Sequence, residues 1–347
     1  MNIDYLIIGQ GLAGSLLAWE LIQRQSKVII LDSGCENASQ VAAGLINPVT
    51  GMRLVKADAV DTLLPTARNF YRKLADFFKQ DFLVEKPMLR LLRTEAEVSI
   101  SRKRLNAPGY QAYLGEIRTP SQMGYPLDNL IAALEQKQTG YLLTRPLLAS
   151  LKAYFISLNS YRQTILDYRE IQFHSSLQWR DLKPKSILFC EGFKAMHNPW
   201  FSYLPFQPAK GQILTLETES ALPDQILNYG NWLVPLGTNR FRIGATFERD
   251  TLDTSVTEPG KQQLLQALGL INGDLAAATV VDRQANIRPC TQDRQPFIGH
   301  HPEHPELWIF NGFGAKGSLQ IPWYSRHLAD VLLTGKLLQP GCNINRL

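Results

Sequence analysis

The chain has 347 residues, of which 45% are hydrophobic and 19% charged, and its net charge is +5. This length favours two packed domains over one simple core, and the composition is typical of a globular protein. No apolar run approaches the roughly 20 residues that a membrane-spanning helix needs, which excludes a helical membrane protein.

The first predicted element is a short buried strand, residues 5–8, that leads into a glycine-rich turn. Gly9, Gly11 and Gly14 have the spacing G-x-G-x-x-G, and leucines at helical spacing follow them. In this pattern the first glycine makes the turn, the second lets the backbone approach a pyrophosphate, and the third lets the helix pack closely on the strand. Free N–H groups at the start of the helix then bind the anion. The pattern predicts a dinucleotide site, with a ligand-free glycine turn as the alternative.

A second predicted strand, residues 27–31, ends at Asp32, which lies 18 residues after Gly14. An acidic side chain at this distance accepts hydrogen bonds from an adenosine ribose, although an acid at a strand end is often only a helix cap. The remaining residues that we predict to contact the dinucleotide here are Leu12, Ala13 and Ser33.

Small residues mark two loops farther along the chain. Ala42, Ala43 and Gly44 carry little side-chain bulk, so they leave room for a large flat ligand; a packed loop is the alternative. A short apolar strand over 186–190 is followed by Gly192, which predicts another turn at the end of a buried strand.

After the loop at 42–44 we predict a helix over 54–78, because its apolar residues fall on one face. Arg53 and Lys56 would lie three residues apart at its start and could point the same way. The helix dipole favours acids there, so this mismatch hints at an anionic ligand. A solvated pair of cations is the alternative.

The pattern changes to antiparallel strands over 213–217, 232–235 and 241–246, as expected of a sheet that covers a ligand. A buried strand over 307–310 then leads into a glycine loop and a helix over 321–333. This second strand–loop–helix unit again leaves a helix N-terminus free to face an electron-rich group.

The start of the chain and its cysteines indicate the cellular compartment. The first strand begins close to Met1, so we expect no signal peptide. Cys35, Cys190, Cys290 and Cys342 lack the spacing of a metal site. We therefore predict free thiols, no metal site and a cytoplasmic location. The mild positive charge permits an anionic partner such as RNA but does not indicate one.

The order of these segments resembles the D-amino-acid oxidase superfamily of FAD-dependent oxidoreductases over nearly the full chain. The stretches that carry the resemblance are 8–14 with Asp32, 39–44, 190–192, 232–246, and 288–299 with 312–317. The resemblance implies an α/β (overall α+β) fold of two domains. One is a discontinuous, Rossmann-type FAD-binding domain with a parallel sheet; the other is a smaller substrate domain with an antiparallel sheet. The implied ranges are 1–83, 141–206 and 283–347 for the first domain, and 84–140 and 207–282 for the second.

The resemblance also implies how FAD is held. The first three glycines would bind its pyrophosphate and Asp32 its ribose, while 42–44 would lie along the flavin. Lys316 would lie near the pyrimidine edge, where positive charge stabilises the anionic reduced flavin; an exposed lysine beside a turn is the alternative. Cys290 does not align with the covalent flavin attachment of some relatives, so non-covalent FAD is expected. The other implied FAD contacts are Gly192, Arg288, Gly312, Gly314, Ala315 and Gly317.

Three basic residues would act on the substrate or on oxygen. Arg53 and Lys56 resemble a basic pair that lies above the flavin in some members, where one of the two holds the substrate carboxylate. Arg242 falls near the position of a basic residue used in oxygen activation. Two departures affect substrate specificity. Ala315 stands where glycine-oxidizing members have an arginine, and Trp232 replaces a tyrosine.

The resemblance implies an FAD-dependent enzyme that oxidises the C–N bond of a small amine or amino acid. A hydride passes to flavin N5 and the imine hydrolyses; the electron acceptor, oxygen or another, stays open. One alternative substrate is a carboxymethylaminomethyl-type uridine in tRNA, although no basic stripe for RNA is visible. Another alternative is a flavin-binding protein without turnover.

Overall fold

The computed structural model describes residues 1–173 and 176–346. The α-helices of the described residues are α1 (Leu12–Gln23), α2 (Ala38–Val41), α3 (Val60–Phe78), α4 (Glu95–Leu105), α5 (Thr144–Ser157), α6 (Glu258–Gly269), α7 (Gly273–Ala276) and α8 (Gly317–Thr334). The 3-10 helices are Pro120–Gln122, Tyr168–Glu170, Gly192–His197, Gly314–Lys316 and Ile344–Arg346. None of the helices in these residues is long and apolar enough to cross a membrane.

The first strands are β1 (Asn2–Ile8), β2 (Val28–Asp32), β3 (Leu45–Ile46), β4 (Val49–Thr50), β5 (Val55–Lys56), β6 (Leu83–Glu85), β7 (Met88–Leu92), β8 (Leu114–Arg118), β9 (Ala132–Gln136) and β10 (Gly140–Leu142). The remaining strands are β11 (Tyr161–Gln163), β12 (Ile171–Phe173), β13 (Leu177–Trp179), β14 (Lys183–Phe189), β15 (Ala209–Glu217), β16 (Ile226–Asn228), β17 (Trp232–Pro235), β18 (Arg240–Gly244), β19 (Thr279–Arg288), β20 (Phe297–His300) and β21 (Leu307–Asn311).

A six-stranded sheet in the order β11-β2-β1-β14-β21-β20 forms the first layer. All its pairs are parallel except β20 with β21. Its central strands are apolar on both faces, because each face is covered. Tyr5 and Ile7 pack against α1, α5 and α8, whereas Leu6 and Ile8 pack against the β12–β13 hairpin and Phe201.

An eight-stranded sheet in the order β19-β15-β18-β17-β16-β7-β9-β8 forms the second layer. Its pairs are antiparallel apart from β16 with β7. Alternate residues such as Leu214, Phe241 and Ile243 bury one face against α6 and α7. The residues between them, such as Arg242 and Gly244, form what we call the inner face, which lies toward the parallel sheet. The predicted α/β class, with one parallel and one antiparallel sheet, is therefore confirmed.

The predicted helix over 54–78 begins later, at Val60. Residues 49–56 instead form the β4–β5 hairpin, in which Val49 pairs with Lys56. Gly51 takes a φ of +74° at its turn. The returning strand β5 then occupies positions 55–56, where apolar spacing alone suggested the first turn of a helix. The sequence reading also missed α4, whose N-terminus has a capping box of Thr94 and Glu97. Few of its side chains are buried, so its apolar pattern was weak.

Candidate active site

Three glycine-containing turns lie at one edge of the parallel sheet. Strand β14 pairs with β1 on one side and with β21 on the other, so all three strands end at the same edge. Gly9 follows β1 with a φ of +104°, and a Cβ there would lie only 2.6 Å from the carbonyl oxygen of Cys190. After β21, the Asn311 side chain donates to the Gly192 carbonyl at 2.8 Å. The turns at Gly9 and Gly312 are more than 300 residues apart in the sequence, yet the strands that lead into them are separated only by β14.

The first turn forms a cradle at the start of α1. A Cβ on Gly14 would lie 2.0 Å from the Gly9 carbonyl oxygen, so only glycine permits this close approach of helix and strand. The N–H of Leu12 donates to the Ser39 hydroxyl at 3.0 Å. Ser39 was missed among the predicted contacts, because nothing in its local sequence says that its loop returns to this helix.

Asp32 is fixed by two backbone N–H groups beside this cradle. Its carboxylate accepts from Gln10 at 2.8 Å and from Gly34 at 2.7 Å. A cavity of about 130 Å³ opens next to it, and Arg145 and Lys152 also line this cavity. Asp32 is therefore held rigidly at a polar opening that continues from the first glycine turn, where the ribose of a dinucleotide is expected.

The small-residue loop is held from both sides. Gly44 has a φ of +70°, and a Cβ there would lie 2.1 Å from the Leu142 carbonyl oxygen. From the antiparallel sheet, Arg242 donates to the carbonyl oxygens of Val41 at 2.6 Å and Ala42 at 3.3 Å. Burial lowers the pKa of Arg242. Its contacts tie the inner face to the predicted flavin loop, while its role toward oxygen stays a prediction.

Arg288 ends β19 on the inner face, next to the second glycine turn. Its guanidinium donates to the Thr246 carbonyl at 3.1 Å and occupies the space above Gly211, where a Cβ would lie 2.0 Å from Nη2. The adjacent Pro289 carbonyl accepts from the N–H of Gly314 at 3.2 Å. Within the described chain no carboxylate pairs with Arg288, and burial lowers its pKa. Such a guanidinium is available to an anionic ligand.

The second glycine turn leads directly into α8. Gly314 has a φ of +52°, and a Cβ there would lie 3.4 Å from the Cys290 sulfur. No side chain caps the N-terminus of α8, which the 3-10 turn Gly314–Lys316 directly precedes. Lys316 immediately precedes this helix and is half-buried, whereas Ala315 is exposed. The predicted pyrimidine-edge residues therefore share one helix terminus.

Arg53 and Lys56 lie in the β4–β5 hairpin and not at a helix start. Lys56 pairs with Asp61 at 2.8 Å. Arg53 is exposed, and its carbonyl accepts from the Arg104 side chain. The segment after the hairpin contacts the loop between β19 and β20, where the Gln295 side chain donates to the Asp58 carboxylate at 3.2 Å. The role of the basic pair in substrate binding stays a prediction.

Glu191 is a buried carboxyl group that the sequence reading did not select. It directly precedes Gly192, and its carboxylate accepts from the Tyr168 hydroxyl at 2.6 Å and from the Asn198 amide at 2.8 Å. Burial raises the pKa of Glu191 above its ordinary value of 4.5, and the two hydrogen bonds oppose this shift. The group therefore couples the stability of this turn to pH.

We expect Glu191→Gln to flatten the dependence of stability on pH. A raised native pKa means that the native state binds more protons than the unfolded state above pH 4.5. The carboxyl group's contribution to stability is then complete below that pH and is lost as pH rises through the native pKa. Thermal unfolding of the apoprotein from pH 4 upward measures the effect. Parallel curves for variant and wild type would contradict it.

A glycine-lined edge of a parallel sheet, covered by an antiparallel sheet that carries basic residues, defines a dinucleotide-dependent oxidoreductase. Residues 4–331 match the DAO family model, described as FAD dependent oxidoreductase. The chain belongs to this family.

Curated relatives and solved structures agree with this assignment. The chain is 25% identical to glycine oxidase of Geobacillus kaustophilus, over 95% of this chain and 92% of that protein. The crystal structure of that glycine oxidase superposes with a TM-score of 0.82 at 24% identity, covering 95% of this chain and 94% of the other. Iminodiacetate oxidase from Chelativorans sp. BNC1 superposes with a TM-score of 0.79 at 23% identity, covering 97% and 96%.

A third kind of relative is longer than this chain. The tRNA 5-methylaminomethyl-2-thiouridine biosynthesis bifunctional protein of Vibrio vulnificus is 25% identical over 96% of this chain, but the match spans only 56% of that protein.

The cofactor is FAD, and the residues present fit it. The absent Cβ atoms at Gly9 and Gly14 leave a close-packed cradle at the N-terminus of α1, which a pyrophosphate requires; its N-cap residue is Gly11, which has no side chain to occupy it. Asp32 lies at the adjoining polar cavity. The N-terminus of α8 follows β21, which is separated from β1 by β14 alone.

Proposed function

We propose that this protein oxidises the C–N bond of a small amine or amino acid. Family membership supports the FAD-dependent reaction, and the names of the oxidase relatives support the substrate class. The observation that carries the proposal is Arg288, a partly buried guanidinium without a carboxylate partner in the described chain, beside the glycine turn of α8.

Bound FAD supplies the acceptor for the hydride that leaves the substrate carbon. Arg288 would bind the substrate carboxylate with two parallel hydrogen bonds and so orient the adjacent amine carbon. The amine binds unprotonated, so that its nitrogen lone pair assists departure of the hydride. Trp232, on the inner face, limits the size of the substrate and excludes water from the reacting carbon.

Positive charge at the start of α8 would stabilise the anionic reduced flavin. Lys316 lies at the positive end of the α8 dipole, and both would lie near the pyrimidine edge of the flavin. Gly312, Gly314, Ala315 and Gly317 would bring backbone close to that edge, and Arg242 would hold the opposite loop in place. Release of the imine to water completes the reaction by hydrolysis.

Anaerobic mixing of the yellow protein with candidate substrates tests this function. We expect an amino acid or N-alkyl amino acid to bleach the visible flavin absorbance. Air, a quinone or a protein acceptor would then be compared for return of the colour, because the family includes different acceptor chemistries. Failure of every amine to bleach the flavin would instead support the alternative of a flavoprotein without turnover.

The tRNA alternative is examined in the same experiment. The bifunctional tRNA relative supports including undermodified tRNA in the substrate panel. Bleaching by tRNA alone, with binding that weakens steeply as salt rises, would replace our proposal.

Arg53→Ala tests the predicted role of the hairpin. We expect a higher substrate concentration for half-reduction of the flavin, with FAD still bound, because an exposed guanidinium near the site attracts an anionic substrate. Arg169→Ala removes another exposed arginine elsewhere on the surface and is the control. Loss of FAD without a change in substrate dependence would show that Arg53 supports the cofactor instead.

We also propose the domain division 1–83, 141–206 and 283–347 for FAD, and 84–140 and 207–282 for substrate. Strand β19 runs from 279 to 288 and connects the two domains. A cytoplasmic location is proposed because the cysteines are free thiols.

A further inference from the structure

A second cavity lies beside the small-residue loop. Its volume is about 420 Å³, and Ala42, Ala43, the start of α5 and the inner face of the antiparallel sheet surround it. Its described lining includes neither the three glycine turns nor Arg288. The cavity is therefore a neighbour of the candidate flavin site and shares the loop as one wall.

Three arginines make this cavity cationic. Arg145, Arg240 and Arg242 line it together with one carboxylate, that of Asp282, among the residues that the structure describes. Arg145 and Arg240 form ion pairs with Glu36 and Glu217, which lie outside the lining.

Both of these ion pairs are exchangeable. The exposed fractions of the paired side chains are 52% and 44% for Arg145 and Glu36, and 53% and 37% for Arg240 and Glu217. Exposed ion pairs contribute little to stability, so an anion in the cavity can replace the carboxylates.

One further group adds positive potential to this cavity, whereas the donors of Arg242 are already bonded or buried. Arg242 uses its terminal nitrogens for the Val41, Ala42 and Gln284 oxygens. Its Nε is buried and has no partner among the described residues. Helix α5 begins at Thr144 without a side-chain cap, and Thr144 lines the cavity. The free N–H groups of this first turn add positive potential at the same wall.

One part of the lining is apolar. Leu143, Pro146, Val234 and Leu236 form a wall suited to an organic group. The volume lies within the range of about 300–1,000 Å³ that is usual for small-molecule sites. The cavity thus combines an anion-binding part with an apolar part.

We propose that this cavity binds a small organic phosphate. Its phosphate contacts Arg145 and Arg240, whose exposed ion pairs can open, since guanidinium forks and helix N-termini match phosphate oxygens. Its organic part packs on the apolar wall. The bound ligand lies against Ala42 and Ala43, so it also alters the visible absorbance of the adjacent flavin.

Calorimetric titration of the FAD-loaded protein with phenyl phosphate tests the site. We expect saturable binding, about tenfold tighter than that of inorganic phosphate because the ring reaches the apolar wall. Arg240→Gln should weaken phenyl phosphate binding about tenfold through loss of a charge-assisted hydrogen bond. Glu217→Gln should tighten binding, because it frees Arg240 from its carboxylate partner. If the ion pair only supported the fold, both variants would weaken binding.

Arg169→Gln, in an exposed ion pair with Asp167 and outside the cavity lining, is the matched control and should change nothing. Absence of saturable binding, equal weakening by Arg169→Gln, or weakening by both Arg240→Gln and Glu217→Gln overturns the proposal. So does binding that occurs only without FAD, since the cavity would then belong to the flavin site. These outcomes are independent of which amine is oxidised.

Discussion

Gly11→Ala is expected to abolish tight FAD binding while leaving the apoprotein folded. A Cβ at Gly11 would lie 3.4 Å from the Ser39 hydroxyl and 4.0 Å from the Asn37 side-chain oxygen, both ordinary contact distances, so the folded chain accepts it. The same methyl group occupies the space through which the pyrophosphate reaches the backbone N–H groups of α1. We expect a loss of roughly 100-fold in FAD affinity, about 2.8 kcal/mol. Titration of the apoprotein with FAD, followed by flavin fluorescence, measures this loss.

Two other glycine-to-alanine variants serve as controls for this prediction. Gly273→Ala adds a methyl group at the start of α7, where nothing lies within 4 Å, and should leave FAD affinity unchanged. Gly14→Ala should destabilise the apoprotein itself, because its Cβ would lie 2.0 Å from the Gly9 carbonyl oxygen. Wild-type FAD affinity in Gly11→Ala would show that the pyrophosphate does not bind at this turn.

Arg288→Met is expected to disable substrate binding and to retain FAD. Methionine keeps the aliphatic stem but cannot pair with a carboxylate. Loss of one partner of a hydrogen-bonded charge pair costs about 2 kcal/mol or more, so the amino-acid concentration for half-reduction should rise at least ~30-fold. Anaerobic titration of the flavin absorbance gives this concentration, and the same spectra report how much FAD is bound.

The control for this variant is on the same strand. Arg283 pairs with Glu258 of α6 on the opposite face of the sheet, so Arg283→Met should leave half-reduction unchanged. A substrate amine without a carboxylate should be insensitive to Arg288→Met. If Arg288→Met raised the half-reduction concentration equally for amines with and without a carboxylate, Arg288 would contribute to the cofactor site. That is the role as an FAD contact that the sequence predicts for it.

Much of the fold could be predicted because its signals are local. Each of the two strand–glycine–helix units, at 2–23 and 307–334, is complete within about 30 residues. The end of the hairpin at 49–56 was wrongly predicted as helix, because the sequence signal there is not local. Its apolar residues run on into those of α3 at similar spacing, and only the pairing of Val49 with Lys56 distinguishes strand from helix.

The amino-acid sequence by itself determined the class of this protein, an FAD-dependent α/β oxidoreductase, and predicted that its first glycine turn holds the pyrophosphate. Only the tertiary structure decided which groups meet. Ser39 reaches the start of α1, Arg242 holds the small-residue loop, and Arg288 lacks a carboxylate partner in the described chain. The reason is physical. A turn or a helix start depends on neighbours in sequence, whereas the partner of a charge depends on how distant strands pack.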